Sequence, residues 1–284
     1  MILIADSGST KTEWVLIDGK GKIVERFVSL GYNPNYVSAA EIREDIFASL
    51  PASFPLSVVR EVNFYGAGVS EPDYPFMREV LGSVFRDAVT VFVAMDLLAS
   101  ARALLGRRAG FAAILGTGAN SCLYDGEKET MNIDSLGFIL GDEGSGGYIG
   151  KTLLRDYMRG DMPMEIQAEL SSVIGKSNDE IIEQVYRKPK ANRYCAQFCK
   201  WAAERKDRHP YCHNLILSAF RDFFKNIVCL YPNYADYSFN CVGSVAYHCS
   251  DLLLQASREF GMEPGLILQS PMEGLIRFHT PDPH

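Results

Sequence analysis

The stretch Ile2-Leu3-Ile4-Ala5-Asp6-Ser7-Gly8-Ser9-Thr10-Lys11-Thr12 decides the fold of this chain. Four apolar residues form a short strand that breaks into a turn of glycine and hydroxyl residues. Glycine lets the backbone bend and lets a ligand come close, while small residues and exposed backbone N–H groups suit a phosphate. The layout recurs at Phe111-Ala112-Ala113-Ile114-Leu115, which runs into Gly116-Thr117-Gly118-Ala119-Asn120. One such turn is weak evidence. Two, each opening a segment of similar layout, predict a two-lobed molecule that holds a nucleotide's phosphates from both sides.

Around the first turn, residues 2–6, 12–18 and 22–28 have the pattern of three strands, with Asp18-Gly19-Lys20-Gly21 as a hairpin turn. Ala39, Ile42, Ile46 and Leu50 are spaced for a helix over residues 38–50. A strand over 58–65, ending in Gly66-Ala67-Gly68, a helix over 74–85, a strand over 89–94 and a helix over 97–105 complete a β-β-β-α-β-α-β-α order. A second cycle starts at Gly110, with strands over 111–115, 121–124 and 130–133. A glycine-dense turn over 141–147 then enters a helix reaching about Met158. Residues 163–232 are helical, 239–242 a buried strand, and 244–260 a helix; 266–269 is strand-like and 272–278 a closing helix. The second half thus repeats the first with helical insertions, and the boundary is expected near residue 107.

The 284 residues, 47% hydrophobic and 22% charged, are ordinary globular composition and allow two domains. A net charge of −7 argues against nucleic acid or anionic membrane as the main partner. No apolar stretch approaches the ~20 residues of a membrane helix, and no basic region precedes the first strand as in a signal peptide. Seven cysteines, mostly in apolar stretches, are expected as reduced thiols of a cytoplasmic protein.

Several residues could carry chemistry. Asp6 beside a phosphate loop is repulsive unless a cation intervenes, and Mg²⁺ held through water is the natural choice; the alternative is an aspartate capping a hairpin. Asp96 follows the strand Val91-Phe92-Val93-Ala94, where α/β folds place ligand sites. It could take a proton from an attacking hydroxyl, or be a plain helix N-cap. In residues 141–147, Gly144 and Ser145 could expose backbone donors, while Asp142 and Glu143 offer acceptors that suit a polyol such as a sugar; the alternative is an acidic surface loop. Cys195, Cys199, His209, Cys212 and His213 match no known zinc spacing, so core cysteines with exposed histidines are expected. The P-loop string and Gly-x-Ser-x-Gly are both missing.

Together, the loop from Asp6 to Thr12, Leu115-Gly116-Thr117-Gly118-Ala119-Asn120, Gly141-Asp142-Glu143-Gly144-Ser145-Gly146 and Cys241-Val242-Gly243-Ser244-Val245 resemble the N-acetylglucosamine kinases of the sugar kinase/actin-like ATPase superfamily. The related ATPases that activate benzoyl-CoA reductase and 2-hydroxyacyl-CoA dehydratase are similar too. The resemblance implies an α/β fold of two ribonuclease-H-like lobes around a cleft, residues 1–106 and 107–284, with the last helix packing back on the first. It implies ATP and Mg²⁺ as cofactors, with Asp6 towards the metal. Ser9, Thr10, Lys11, Thr117 and Gly118 would face the phosphates, and Ala196, Gly243 and Ser244 the nucleoside. Asp96 would be the base for the 6-hydroxyl of an amino sugar. Asn33, Gly118, Asn120, Ser135, Leu136, Gly137 and Asp142 would line the sugar pocket. The implied partner is thus a small amino sugar, with a homodimer as one open assembly. Two alternatives remain: an activating ATPase with an iron–sulfur cluster between subunits, and a non-catalytic sugar or nucleotide sensor.

Overall fold

The computed structural model describes residues 1–8, 10–34 and 37–280. They form two compact units. The first comprises Met1–Ala109, Asp125–Glu129 and the chain from Ser270 on; the second comprises Gly110–Tyr124 and Thr130–Gln269.

The first unit runs β1 (Ile2–Ser7), β2 (Lys11–Ile17), β3 (Ile23–Leu30), α1 (Ala39–Ser49), β4 (Glu61–Gly66), α2 (Tyr74–Val84), β5 (Thr90–Met95) and α3 (Asp96–Leu105). Its sheet has the order β3-β2-β1-β4-β5. β1, β2 and β3 pair antiparallel, whereas β4 lies parallel to β1 and to β5. Central parallel strands are covered on both faces, and β1 and β4 are accordingly almost continuously buried. Across the β2–β3 pair Trp14 stacks on Phe27 with centroids 5.4 Å apart, and the indole N–H donates to Ser29 Oγ at 2.8 Å. A large aromatic in a core needs such a partner for its polar atom. Ser38 and Glu41 form a reciprocal capping box that starts α1.

The second unit opens with β6 (Gly110–Leu115), β7 (Ala119–Tyr124) and β8 (Glu129–Asn132). Helices α4 (Gly137–Leu140), α5 (Gly146–Arg159), α6 (Met164–Ile174), α7 (Asn178–Tyr186), α8 (Ala191–Ala203) and α9 (Pro210–Asn226) follow. Then come β9 (Phe239–Val242), α10 (Ser244–His248), α11 (Ser250–Glu259) and β10 (Pro264–Leu268); α12 (Met272–His279) belongs to the first unit. The sheet order is β10-β9-β6-β7-β8, with β7 antiparallel to β6 and β9 parallel to it. From β8 to β10 this is the order of the first sheet, so the repeat expected from the two turns is present. A core around Phe111, Phe220, Phe223, Phe224 and Phe239 fills this unit; another around Leu3, Trp14, Phe64 and Phe85 fills the first.

Residues 163–232 are helical as expected, divided into four α-helices joined by turns. Two details differ from expectation. The strand expected over 58–65 begins at Glu61, after a single 3-10 turn at Leu56–Val58. α4 was not expected, because one turn of helix leaves no periodicity to detect. Among the described residues no helix is long and apolar enough to cross a membrane.

Candidate active site

In the first unit the carboxyl ends of β1 and β5 carry the acidic groups. Asp6 of β1 pairs in register with Glu13 of β2 and Tyr65 of β4. Asp96 directly follows β5 and is the first residue of α3, with Met95 at the N-cap position. The carboxylate accepts from the Leu97 and Asp96 amides, which favours its charged form, but burial outweighs them and pushes it up to about 6. Asp6 is raised further, to about 7, by burial and then by the charges of Asp96 and Glu13, with Lys11 opposing. A third carboxylate, Glu129 at the start of β8, is raised to about 6 by burial and by Asp96. Sequence reasoning missed it. Within Glu127-Lys128-Glu129 it has the pattern of a solvated charge run, and only the fold brings it to Asp96.

The first turn divides its hydroxyls between two jobs. Ser7 and Thr12 are buried, with Thr12 Oγ1 2.8 Å from Ser7 Oγ and 2.7 Å from Leu30 O, and the Tyr32 amide donates to Ser7 Oγ. These hydroxyls hold the hairpin. Thr10 and Lys11 are exposed at its tip, where the Gly8 amide closes the turn on Lys11 O at 2.9 Å. Ser9 lies outside the described residues. Asn33, half-buried after β3, packs over Gly68: a Cβ there would stand 2.4 Å from Asn33 Nδ2. Gly68 has φ +73°, so glycine is needed both for the turn and for the approach.

In the second unit the β6–β7 turn is the organising feature. The Gly116 amide donates to Gly118 O at 3.0 Å, and among the described residues the Thr117 and Gly118 amides have no protein acceptor. Asp142 crosses behind this turn. Its Oδ1 accepts the Ala119 amide at 3.1 Å, its carboxylate would touch any Cβ on Gly118, and the Ser135 hydroxyl also reaches it. Burial raises Asp142 overall. Asn120 Oδ1 accepts from Asn132 Nδ2 at 2.8 Å, which orients its amide nitrogen outward. Leu136 and Gly137 are exposed and both have positive φ, at 59° and 66°.

The glycine-dense turn does a different job from the one expected. Gly144 is buried against Phe223 and Leu115, and the Ser145 amide donates to Asp142 O. Ser145 Oγ caps α5 by accepting the Tyr148 amide. The Gly146 and Gly147 amides donate to Gly116 O and Thr117 O at 2.8 and 3.0 Å. The donors of this segment therefore hold the β6–β7 turn rather than face outward. Gly146 also lets α5 approach Ala196 and Val245: a Cβ there would lie 3.4 Å from both Ala196 Cβ and Val245 Cγ2. Ala196 and Ser244 line one groove of about 600 Å³ with Lys206 and His248. Gly243, φ +134°, passes so close to Leu115 O that no side chain fits.

All seven cysteines are free thiols, and burial pushes Cys195 and Cys212 up to about 11. The expected exposure of the histidines needs correction. His209 and His213 are half-buried; His209 caps α9 and lies 2.8 Å from Glu165 Oε1. Among the described residues no group of three or more His, Cys, Asp or Glu could hold a metal ion.

No family model and no curated protein matches the chain. Solved structures do. A protein from Porphyromonas gingivalis, described as a candidate N-acetylglucosamine kinase, shares 39% identity over 99% of both chains with a TM-score of 0.93. A second, from Chromobacterium violaceum and described likewise, shares 18% identity over 98% of both chains with a TM-score of 0.72. A ROK-family glucokinase from Streptomyces griseus, in complex with glucose and AMPPNP, covers 97% of both chains at 16% identity and a TM-score of 0.54. The fold is the α/β fold of sugar kinases and actin-like ATPases, with two lobes.

Proposed function

This chain belongs to the N-acetylglucosamine kinase family of the sugar kinase/actin-like ATPase superfamily, and on that premise we propose that it transfers the terminal phosphoryl group of ATP to the 6-hydroxyl of an amino sugar, N-acetylglucosamine first. The observation that carries the reading is Asp96. A half-buried carboxylate raised to about 6, at the carboxyl end of a parallel strand, is a general base matched to neutral pH. In the reaction Asp96 takes the proton of the attacking hydroxyl as the O–P bond forms and ADP leaves. Thr10 and Lys11 of the first turn, and the Thr117 and Gly118 amides of the second, are the donors assigned to the phosphates. The groove at Ala196 and Ser244 takes the nucleoside, and Asn33, Asn120, Ser135 and Asp142 take sugar hydroxyls.

The acidic groups of the first unit fit a hard cation. Asp6 is held among like charges with Lys11 opposing, and a single carboxylate plus water and phosphate oxygens is an ordinary Mg²⁺ environment. Asp6 would hold the ion, which when bound offsets charge on the phosphate oxygens.

The test is ADP release with ATP and a panel of hexosamines and hexoses. Sugar-dependent turnover, highest with an amino sugar and lost in Asp96→Asn, is the expected result. No sugar-dependent turnover in folded wild-type protein, or an Asp96→Asn variant near the wild-type rate, would overturn the reading.

A further inference from the structure

The segment from Ser135 to Asp142 is held in an unusual way. Leu136 and Asp142 are two of only four non-glycine residues with positive φ among those described, at 59° and 57°. Between them α4 is one turn long, and Leu136, Ile139 and Leu140 are 59%, 82% and 76% exposed. Neither helical length nor burial of these side chains fixes the segment, and left-handed non-glycine residues persist only where surroundings over-determine them.

The Asp142 amide closes the segment on Ser135 O at 2.8 Å, the Leu136 amide donates to Asp134 Oδ1 at 2.9 Å, and Lys151 of α5 adds a tether from outside. Its Nζ donates to Phe138 O at 2.7 Å and lies 5.0 Å from the Phe138 ring centroid and 5.7 Å from that of Tyr148. A half-buried ammonium over two ring faces is a directed contact. The same charge favours ionised Asp142, against burial and Glu143. The lysine stands on a rigid base. α5 is capped by Ser145 and packs backbone to backbone on α8, where a Cβ on Gly150 would fall on Cys195 O. One side chain thus ties the α4 segment to α5, and its charge opposes the burial that raises Asp142, which is braced by the Ala119 amide.

We propose that Lys151 is a positioning residue for the acceptor sugar, fixing the Ser135–Asp142 segment from the far side without touching the substrate. This rests on the assignment of Ser135, Leu136, Gly137 and Asp142 to the sugar under the proposed function. Lys151 is assigned to neither the phosphates nor the nucleoside, so its loss is expected to weaken sugar binding and leave nucleotide binding alone.

The experiment compares wild type, Lys151→Met and Lys151→Arg by steady-state kinetics with N-acetylglucosamine, or with whichever panel hexosamine wild type turns over, and by calorimetric sugar titration without ATP. Lys151→Met removes the charge at similar length. It is expected to raise KM and Kd for the sugar about tenfold while KM for ATP and kcat stay within about twofold, with Lys151→Arg restoring most of the loss. If Lys151→Met does not fold, Lys151→Gln carries the test and must raise the sugar KM at least about threefold with KM for ATP unchanged. An unaltered sugar KM in a folded variant, or equal rises for both substrates, overturns the inference. A wild-type protein that turns over no sugar overturns the proposed function instead, so the two failures are distinguishable.

Discussion

At the residue scale the proposed chemistry turns on Asp96. Its folded pKa is raised to about 6, first by burial. A base works only when ionised, so kcat/KM is expected to rise with pH through about 6 and level off above it. Asp96→Asn removes that limb and lowers kcat by about 10²- to 10⁴-fold with the sugar KM little changed. A pH profile of both proteins checks this; a variant that keeps the wild-type acid limb assigns the limb to another group. The sequence marked Asp96 by its place directly after an apolar strand, where a base and a helix cap fit equally, and the family resemblance favoured the base. Glu129 was not legible, because its neighbourhood is made by tertiary approach to Asp96 alone. Lys151 was hidden for a similar reason: its partner Phe138 sits in a one-turn helix that has no sequence signature.

At the element scale the glycines of 141–150 do a job the sequence reading did not assign them. Their density marked a turn near the site. What the density serves is packing: Gly146 and Gly147 dock on the β6–β7 turn, and Gly150 lets α5 meet α8 backbone to backbone. Gly150→Ala places a methyl on Cys195 O and is expected to cost about 1–3 kcal/mol, read as a fall of several degrees in Tm. An unchanged Tm would mean that α5 and α8 separate freely. The closing helix α12 offers a second case. His279 Nε2 lies 2.8 Å from Tyr65 Oη, which also accepts from Arg102, and burial with Arg102 and Arg107 holds the imidazole down to about 4. As pH falls below 6.5 the unfolded chain takes up the proton while the folded one refuses it until about 4. Stability is lost across that window, by up to about 3 kcal/mol. His279→Gln flattens this acid-side slope in urea unfolding measured from pH 7 to 4; an unchanged slope assigns it elsewhere. Nothing in the sequence around Met272 foretold the histidine's burial, since it depends on α3 and β4.

At the scale of the whole molecule, the doubled sheet order explains why so much of the fold was legible. Each strand of the first sheet has a counterpart in the second, and both sets begin with an apolar strand breaking at a glycine turn. The helical insertion between α5 and β9 has no counterpart in the first unit, so its division into four helices had only local periodicity to reveal it. The same architecture brings like charges together at strand ends, and this sets the protein's stability against its function. Asp6 ionises near 3.8 when unfolded and near 7 when folded. Below the lower value both states are protonated and nothing is lost. Between the two, the unfolded state ionises first, so rising pH removes stability, on the order of 4 kcal/mol at pH 8 and partly shared with Asp96. Asp6→Asn is therefore expected to be more stable than wild type at pH 8 and equal to it at pH 4, in urea unfolding without nucleotide or metal. It should also lose most activity, because the carboxylate assigned to the cation is gone. Magnesium with ATP should narrow the stability gap at pH 8 by stabilising wild type more than the variant. A variant less stable than wild type at pH 8 would show that Asp6 serves the fold rather than opposing it.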